Sequence, residues 1–154
     1  MSEIQHIGEQ LQRAFEGNAW HGPAVRELLA DVTAAQASGR PLPNAHSIWE
    51  ITLHITTWER VVLRRLQGEM VVNLPAEQDW PPVRDTSEAP WRQAIRDLEQ
   101  ANHDLRAAVT PSTEARLGDM VPGKDHSVYV MLHGIIQHDL YHAGQIAVLK
   151  KAQH

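Results

Sequence analysis

SIWEITLHITTWERVVLRRLQG, residues 47–68, is the stretch that decides the fold class. Ser47 and Glu50 have the spacing of a capping box, in which a hydroxyl and a carboxylate each satisfy one free amide of the first helical turn. Arg64 and Arg65 near the far end complement the negative end of a helix dipole. At about 1.5 Å per residue the stretch is roughly 30 Å long. It predicts one long amphipathic helix.

Helical periodicity extends along the rest of the chain, and clusters of glycine and proline interrupt it. The predicted helices cover, in order, about residues 2–16, 23–31, 47–67 and 87–109, and a last helix runs from Asp125 or Ser127, either of which could cap it, to about 152. Two long irregular connections, 68–86 and 110–125, separate the last three helices, and no segment has the pattern of a convincing strand. Long amphipathic helices without strands predict an all-α fold, a helical bundle.

The composition is that of one ordinary globular domain, residues 1–154, with 42% hydrophobic and 21% charged residues. A chain of this size buries enough surface to fold without a stabilising cross-link. The absence of cysteine excludes disulfides, thiolate metal ligands and a thiol nucleophile belonging to the chain. We therefore expect any thiol in its chemistry to be a cosubstrate.

Charge and hydropathy exclude several classes of partner. The net charge is −5 and the basic residues are scattered, so no basic patch is available for nucleic acid. No apolar run approaches the roughly 18 residues that a membrane span needs. The N-terminal residues 1–15 lack the basic start and apolar core of a signal peptide. With no cysteine present, we expect a cytoplasmic protein.

Ten histidines are many for this length, and three of them occupy inward-facing helical positions. At about 100° per residue, His138 and His142 fall within the apolar stripe of the last helix. His54 lies at the edge of the apolar stripe of the helix over 47–67. A spacing of four residues stacks His138 and His142 one turn apart, as a shared metal ion requires.

Spacing alone leaves two interpretations of these histidines open. A single histidine on an apolar face is more often a core residue hydrogen-bonded to a neighbour than a metal ligand. Three inward imidazoles, however, need more polar partners than an apolar core supplies, and one cation satisfies all three. For the other histidines, near helix ends or on polar faces, we expect solvated or capping roles.

Three segments resemble the DinB/YfiT-like metalloprotein family: HSIWEITLHITTWE, MLHGIIQHDLYHAGQI and AFEGNAWHGPAVRELL. The HxxxHxGQ motif of the second is the most specific, and the resemblance spans nearly the whole chain. It implies a four-helix bundle of up-down-down-up topology with long crossover loops. It also implies a divalent metal ion held by His54, His138 and His142.

The resemblance implies less about activity. Some relatives resemble S-transferases that use a low-molecular-weight thiol, or thiol-dependent isomerases, others are regarded as hydrolases, and the founding members are DNA-damage-inducible proteins. A shared fold does not settle function. A metal-dependent enzyme acting on a small molecule, as a thiol transferase or hydrolase, is the leading hypothesis because three histidines leave a metal position open. The alternative is a noncatalytic metal-binding module or a stress-response interaction protein. Apolar residues in 69–75 would then serve such contacts or a homodimer.

An open three-histidine site predicts a metal-bound water or thiolate as the reactive group. Nitrogen ligands favour zinc or nickel, with iron, manganese and cobalt as alternatives. The catalytic base stays unassigned. Glu50, one turn before His54, is a candidate that its capping role also explains. Gln145 and Asp139 are candidates for orienting the imidazoles, and Trp58 for lining the pocket. A surface or interhelical bond for Asp139, and a core role for Trp58, fit equally well.

Overall fold

The computed structural model describes all 154 residues, and every regular element in it is helical. The α-helices are α1 (Glu3–Phe15), α2 (Val25–Leu29), α3 (Ala34–Ser38), α4 (Ile48–Leu66), α5 (Ala76–Asp79), α6 (Glu88–Val109) and α7 (Val128–Lys151). A short 3-10 helix, Glu114–Gly118, follows α6, and an isolated antiparallel bridge joins Met120 to Ser127. The predicted all-α class is confirmed.

The long helices begin where their sequence signals predict. At the start of α4 the Glu50 amide donates to the Ser47 hydroxyl at 3.2 Å, and the Ser47 amide donates to the Glu50 carboxylate at 2.8 Å. Ser127 caps α7 by accepting from the Val130 amide. The sequence did not reveal α3, α5 or the 3-10 helix, because four or five residues are too few to show a periodicity.

Four long helices, α1, α4, α6 and α7, form the bundle, and both α1 and α4 pack against α6 and α7. At one end of the bundle, the C-terminal parts of α1 and α7 contact the N-terminal parts of α4 and α6. At the other end the pattern is reversed. The topology is therefore up-down-down-up, with α4 parallel to α6. The connection 67–87 consequently crosses the whole length of the bundle, whereas 110–127 joins helix ends at one side.

Two apolar clusters fill the bundle, one toward each end. The first includes Ile55, Leu98 and Ile146, and the second includes Val62 and Leu105. A level of polar side chains, here named the polar layer, separates them along α4, α6 and α7. Its members are His54, Glu59, Asn102, His138, Asp139 and His142. None of the helices is both long and apolar enough to cross a membrane.

We expect the protein to remain folded without metal, because two apolar clusters of 17 and 15 buried residues fill the bundle. Hydrophobic burial supplies most of the favourable free energy of folding. Chelation should leave the far-ultraviolet circular dichroism unchanged and the thermal transition cooperative, while lowering the melting temperature relative to metal-loaded protein. Loss of the helical signal on chelation would contradict this expectation.

Candidate metal centre

The structure brings together the three histidines that the sequence singled out. α4 carries His54, and α7 carries His138 and His142, with ligand nitrogens all within 4.8 Å of one another. The Nε2 atoms of His54 and His138 are 3.0 Å apart. His54 and His142 are buried, whereas the His138 side chain is 24% exposed. His138 is therefore the member of the group that is open to solvent.

The donor set fits a divalent metal ion. Nδ1 of His54 lies 2.7 Å from the backbone carbonyl oxygen of Asp79, and Nδ1 of His142 lies 2.6 Å from Oε1 of Gln145. Each contact requires Nδ1 to donate, which leaves Nε2 unprotonated and free to bind a metal. A tetrahedral zinc ion holds its nitrogen ligands about 3.4 Å from one another. The spacing of the three imidazoles is compatible with that value.

Burial keeps the imidazoles neutral. Removal from water lowers the pKa of His138 to about 4 and that of His142 to about 4. Burial also lowers the pKa of His54, although the hydrogen bond with the Asp79 carbonyl opposes that effect. Neutral imidazole is the form that binds metal ions. Near pH 7 the group can therefore accept a cation without first losing protons.

An aromatic stack that the sequence did not reveal covers His54. The Trp80 ring lies parallel to the His54 ring with centroids 3.7 Å apart, and His46 stacks on its other face at 3.6 Å. Trp58 donates from Nε1 to Oδ1 of Asp79 at 2.8 Å, and the same oxygen lies 3.2 Å from Nδ1 of His54. The crossing connection, which contains Asp79 and Trp80, thus fixes the orientation of His54. The only sequence signal was a tryptophan in a polar, proline-rich segment.

Asp139 takes part in an interhelical contact, which was one of the two alternatives for it. Its side chain is fully buried and faces Glu59 of α4, whose Oε1 accepts a hydrogen bond from Asn102 at 2.9 Å. Burial raises the pKa of both carboxyl groups, and the charge of Asp139 raises the pKa of Glu59 further. One proton held between the two carboxyl groups would remove the repulsion between their charges.

Asp139 also lies close to His138. Oδ1 of Asp139 is 3.6 Å from Nδ1 of His138, and neither atom has a hydrogen-bond partner.

Glu50 contacts the Ser47 amide, Arg40 at 2.6 Å and His46 at 3.6 Å, so its carboxylate serves the helix cap. The sequence did not reveal Glu59 as part of the polar layer, although it lies four residues after Ile55 and therefore on the apolar stripe of α4.

Cavities open on two sides of the histidine group. One, of about 260 Å³, is lined by His138 and Trp58. The other, of about 550 Å³, is lined by Gln145, His46 and Tyr141. A small molecule meets a metal-ligating candidate, His138, directly in the first cavity, whereas none of the three histidines lines the second.

The family model of the DinB superfamily matches residues 18–146, a range that contains all three histidines. The chain belongs to the DinB superfamily. A crystal structure of a conserved protein from Enterococcus faecalis has a similar fold, with a TM-score of 0.71 over 99% of this chain and 97% of that one. The two sequences are 18% identical, so this likeness concerns the fold alone. No curated protein matches the chain.

In this DinB-superfamily protein the buried histidines should weaken folding at acidic pH when metal is absent. An unfolded histidine binds a proton below about pH 6.5, whereas folded His138 and His142 bind one only near pH 4. Between these values the unfolded state holds more protons. The free energy of unfolding therefore falls as the pH is lowered through this window.

Urea unfolding of the chelated protein at several pH values between about 7.5 and 4.5 tests this expectation. The matched control is the double variant His138→Gln/His142→Gln, which keeps the Glu59–Asp139 pair. The raised pKa values of that pair stabilise the fold as the pH falls, so they act in the opposite direction in both proteins. Wild type should lose stability relative to the variant, and parallel curves would contradict the assignment.

Proposed function

We propose that this protein is a metal-dependent enzyme acting on a small molecule, either as a low-molecular-weight-thiol S-transferase or as a hydrolase. The observation that carries the proposal is a set of three neutral imidazoles that converge through Nε2 and remain accessible through His138. Three protein ligands with an accessible side are typical of catalytic metal sites, whereas structural sites are closed by a fourth protein ligand.

His54, His138 and His142 would hold the metal ion, and imidazole ligands favour zinc or nickel, with iron, manganese and cobalt as alternatives. The ion, when bound, supplies a Lewis acid that activates water or deprotonates a thiol. The chain has no cysteine, so in the transferase reaction the thiol is a cosubstrate. Two apolar clusters of 17 and 15 buried residues provide a core that does not depend on a metal ion, which favours a catalytic role over a structural one.

The surrounding residues fix the imidazoles rather than react. The Asp79 carbonyl orients His54, and Gln145 orients His142, each through Nδ1. His138 lacks such a partner, and the nearest unsatisfied acceptor is Oδ1 of Asp139 at 3.6 Å. A movement of about 0.6 Å would bring these two atoms to hydrogen-bond distance. We infer that Asp139 is the positioning residue for His138.

Substituting His138 by alanine should abolish both metal binding and turnover, because two imidazoles do not hold a divalent ion tightly. Elemental analysis of untagged protein purified without chelators should give one metal ion per wild-type chain. Consumption of several cellular thiols, assayed against a panel of electrophiles and esters, should follow metal content. The control is His103→Ala, whose side chain is 76% exposed. Wild type without stoichiometric metal, or an unchanged His138→Ala variant, would refute the proposal.

Substituting Gln145 by alanine should weaken metal affinity by about 10–100-fold, because His142 loses the acceptor that fixes its orientation. Competition with a chromogenic chelator measures the affinity directly. Gln137→Ala is the matched control, since Gln137 is an exposed glutamine on the same helix. Equal affinities for the two variants would show that the contact with His142 does not orient it.

A further inference from the structure

Arg65 of α4 is a buried cation without a carboxylate partner. The residue is only 6% exposed, and its Nε and Nη2 donate to the Val71 carbonyl oxygen at 3.0 and 2.7 Å. Its guanidinium carbon lies 5.7 Å from the centroid of the Trp58 ring. Nη1 makes no hydrogen bond. Burial lowers the pKa of the guanidinium, as expected for a cation withdrawn from water without a counter-charge.

The neighbouring arginine, in contrast to Arg65, has a carboxylate partner. Arg64 is exposed and pairs with Glu69 at 2.8 Å. A buried charge costs free energy unless it is paired and hydrogen-bonded. The bonds to Val71 satisfy part of the guanidinium but do not neutralise it, because a carbonyl oxygen carries no full charge. Arg65 therefore has no counter-charge within the protein.

Arg65 lines the cavity of about 260 Å³ that also contains His138, and this space is named here the Arg65 cavity. His126 contributes a second imidazole, and no lining residue is acidic. The remaining walls are mostly apolar side chains. They comprise Trp58, Val62, Val130, Met131 and Ile135, with Gly134 between them. A cation and a metal-ligating candidate thus lie in one small, otherwise apolar space.

We propose that the Arg65 cavity binds the carboxylate of a small organic acid, with Arg65 as the charge-assisted donor and the acid's carbon skeleton held against the apolar walls beside His138.

The shape and chemistry of the cavity select this class of ligand. A planar guanidinium matches a planar carboxylate, and hydrogen bonds between charged groups are the stronger kind. A space of about 260 Å³ is below the usual size of drug-binding sites, so the acid must be compact. The apolar walls favour a hydrocarbon body over a sugar or a polyanion. That the acid is a substrate rests on the proposed function, whereas its binding does not.

Titration with benzoate tests the proposal, followed through the indole N–H resonance of Trp58 in proton–nitrogen spectra. The titration is run on zinc-loaded protein and again after chelation, so that its result does not depend on the metal centre. Benzamide, which has the same shape and no charge, is the ligand control. We expect saturable binding of benzoate in both forms of the protein, and binding of benzamide at least tenfold weaker.

Substitutions of Arg65 and Gly134 test whether benzoate binds to the guanidinium inside the Arg65 cavity. Arg65→Gln should weaken benzoate binding at least tenfold, while Arg64→Gln, which removes the neighbouring charge, should change it less than about twofold. Gly134→Leu is the second test, because a side chain at Gly134 has open space before it and would enter the cavity. Leucine also favours a helix over glycine, so this variant should fold and still lose affinity at least tenfold.

Several outcomes would overturn the proposal. These are equal affinities for benzoate and benzamide, unchanged affinity in Gly134→Leu, or unchanged affinity in folded Arg65→Gln. Benzoate binding that needs zinc and persists in Arg65→Gln would show that the acid binds the metal instead. If Arg65→Gln fails to fold, Gly134→Leu decides. Loss of turnover with intact benzoate binding would count against the proposed function and leave the Arg65 cavity standing.

Discussion

Burial of the polar layer is the constraint on which the rest of this structure depends. Polar side chains at mid-height between two apolar clusters lose their hydration, and each must find a partner inside the protein. Glu59 finds Asn102 and Asp139, and His142 finds Gln145, all within the bundle. Other polar atoms of the layer have no hydrogen-bond partner, among them Oε2 of Glu59, Nδ1 of His138 and both carboxyl oxygens of Asp139. The ligand nitrogens of the three histidines lie within 4.8 Å of one another, and a cation is the partner that satisfies all of them at once.

The connection between α4 and α6 supplies polar contacts that the four long helices do not. Because α4 and α6 are parallel, the connection between them must travel the full length of the molecule. On that path it contributes the Val71 carbonyl to Arg65, then the Asp79 carbonyl and the Trp80 ring to His54. One irregular segment therefore positions both the candidate metal ligand and the unpaired guanidinium. A connection between antiparallel helices would have stayed at one end of the bundle and would not have reached His54.

The charges around the centre are consistent with the proposed chemistry. The imidazoles are neutral, and burial raises the pKa of the nearest buried carboxyl groups, those of Glu59 and Asp139. A divalent ion added to this site would be the main local charge. Together with Arg65 it would make the accessible side of the bundle positive within an otherwise acidic protein, whose net charge is −5. Such a site favours anionic ligands, including thiolates and carboxylates.

The sequence by itself determined the helices and the direction in which the histidines face. Helix caps and apolar periodicity depend on residues close together in the chain. The sequence therefore showed that Ser47 and Glu50 begin α4, and that His138 and His142 lie on the apolar stripe of α7. Periodicity also grouped His54 with the two histidines of α7, and the resemblance to a family favoured the metal-site interpretation of that group and added the topology. Only the tertiary structure decided the contacts of His54 with Asp79 and Trp80, and of Glu59 with Asp139. It also decided the burial of Arg65, which the sequence indicated only as a charge suited to a helix end. Each of these contacts joins residues that are far apart in the chain or lie in the connection between α4 and α6. That connection has no helical periodicity, so the sequence does not indicate where its residues lie.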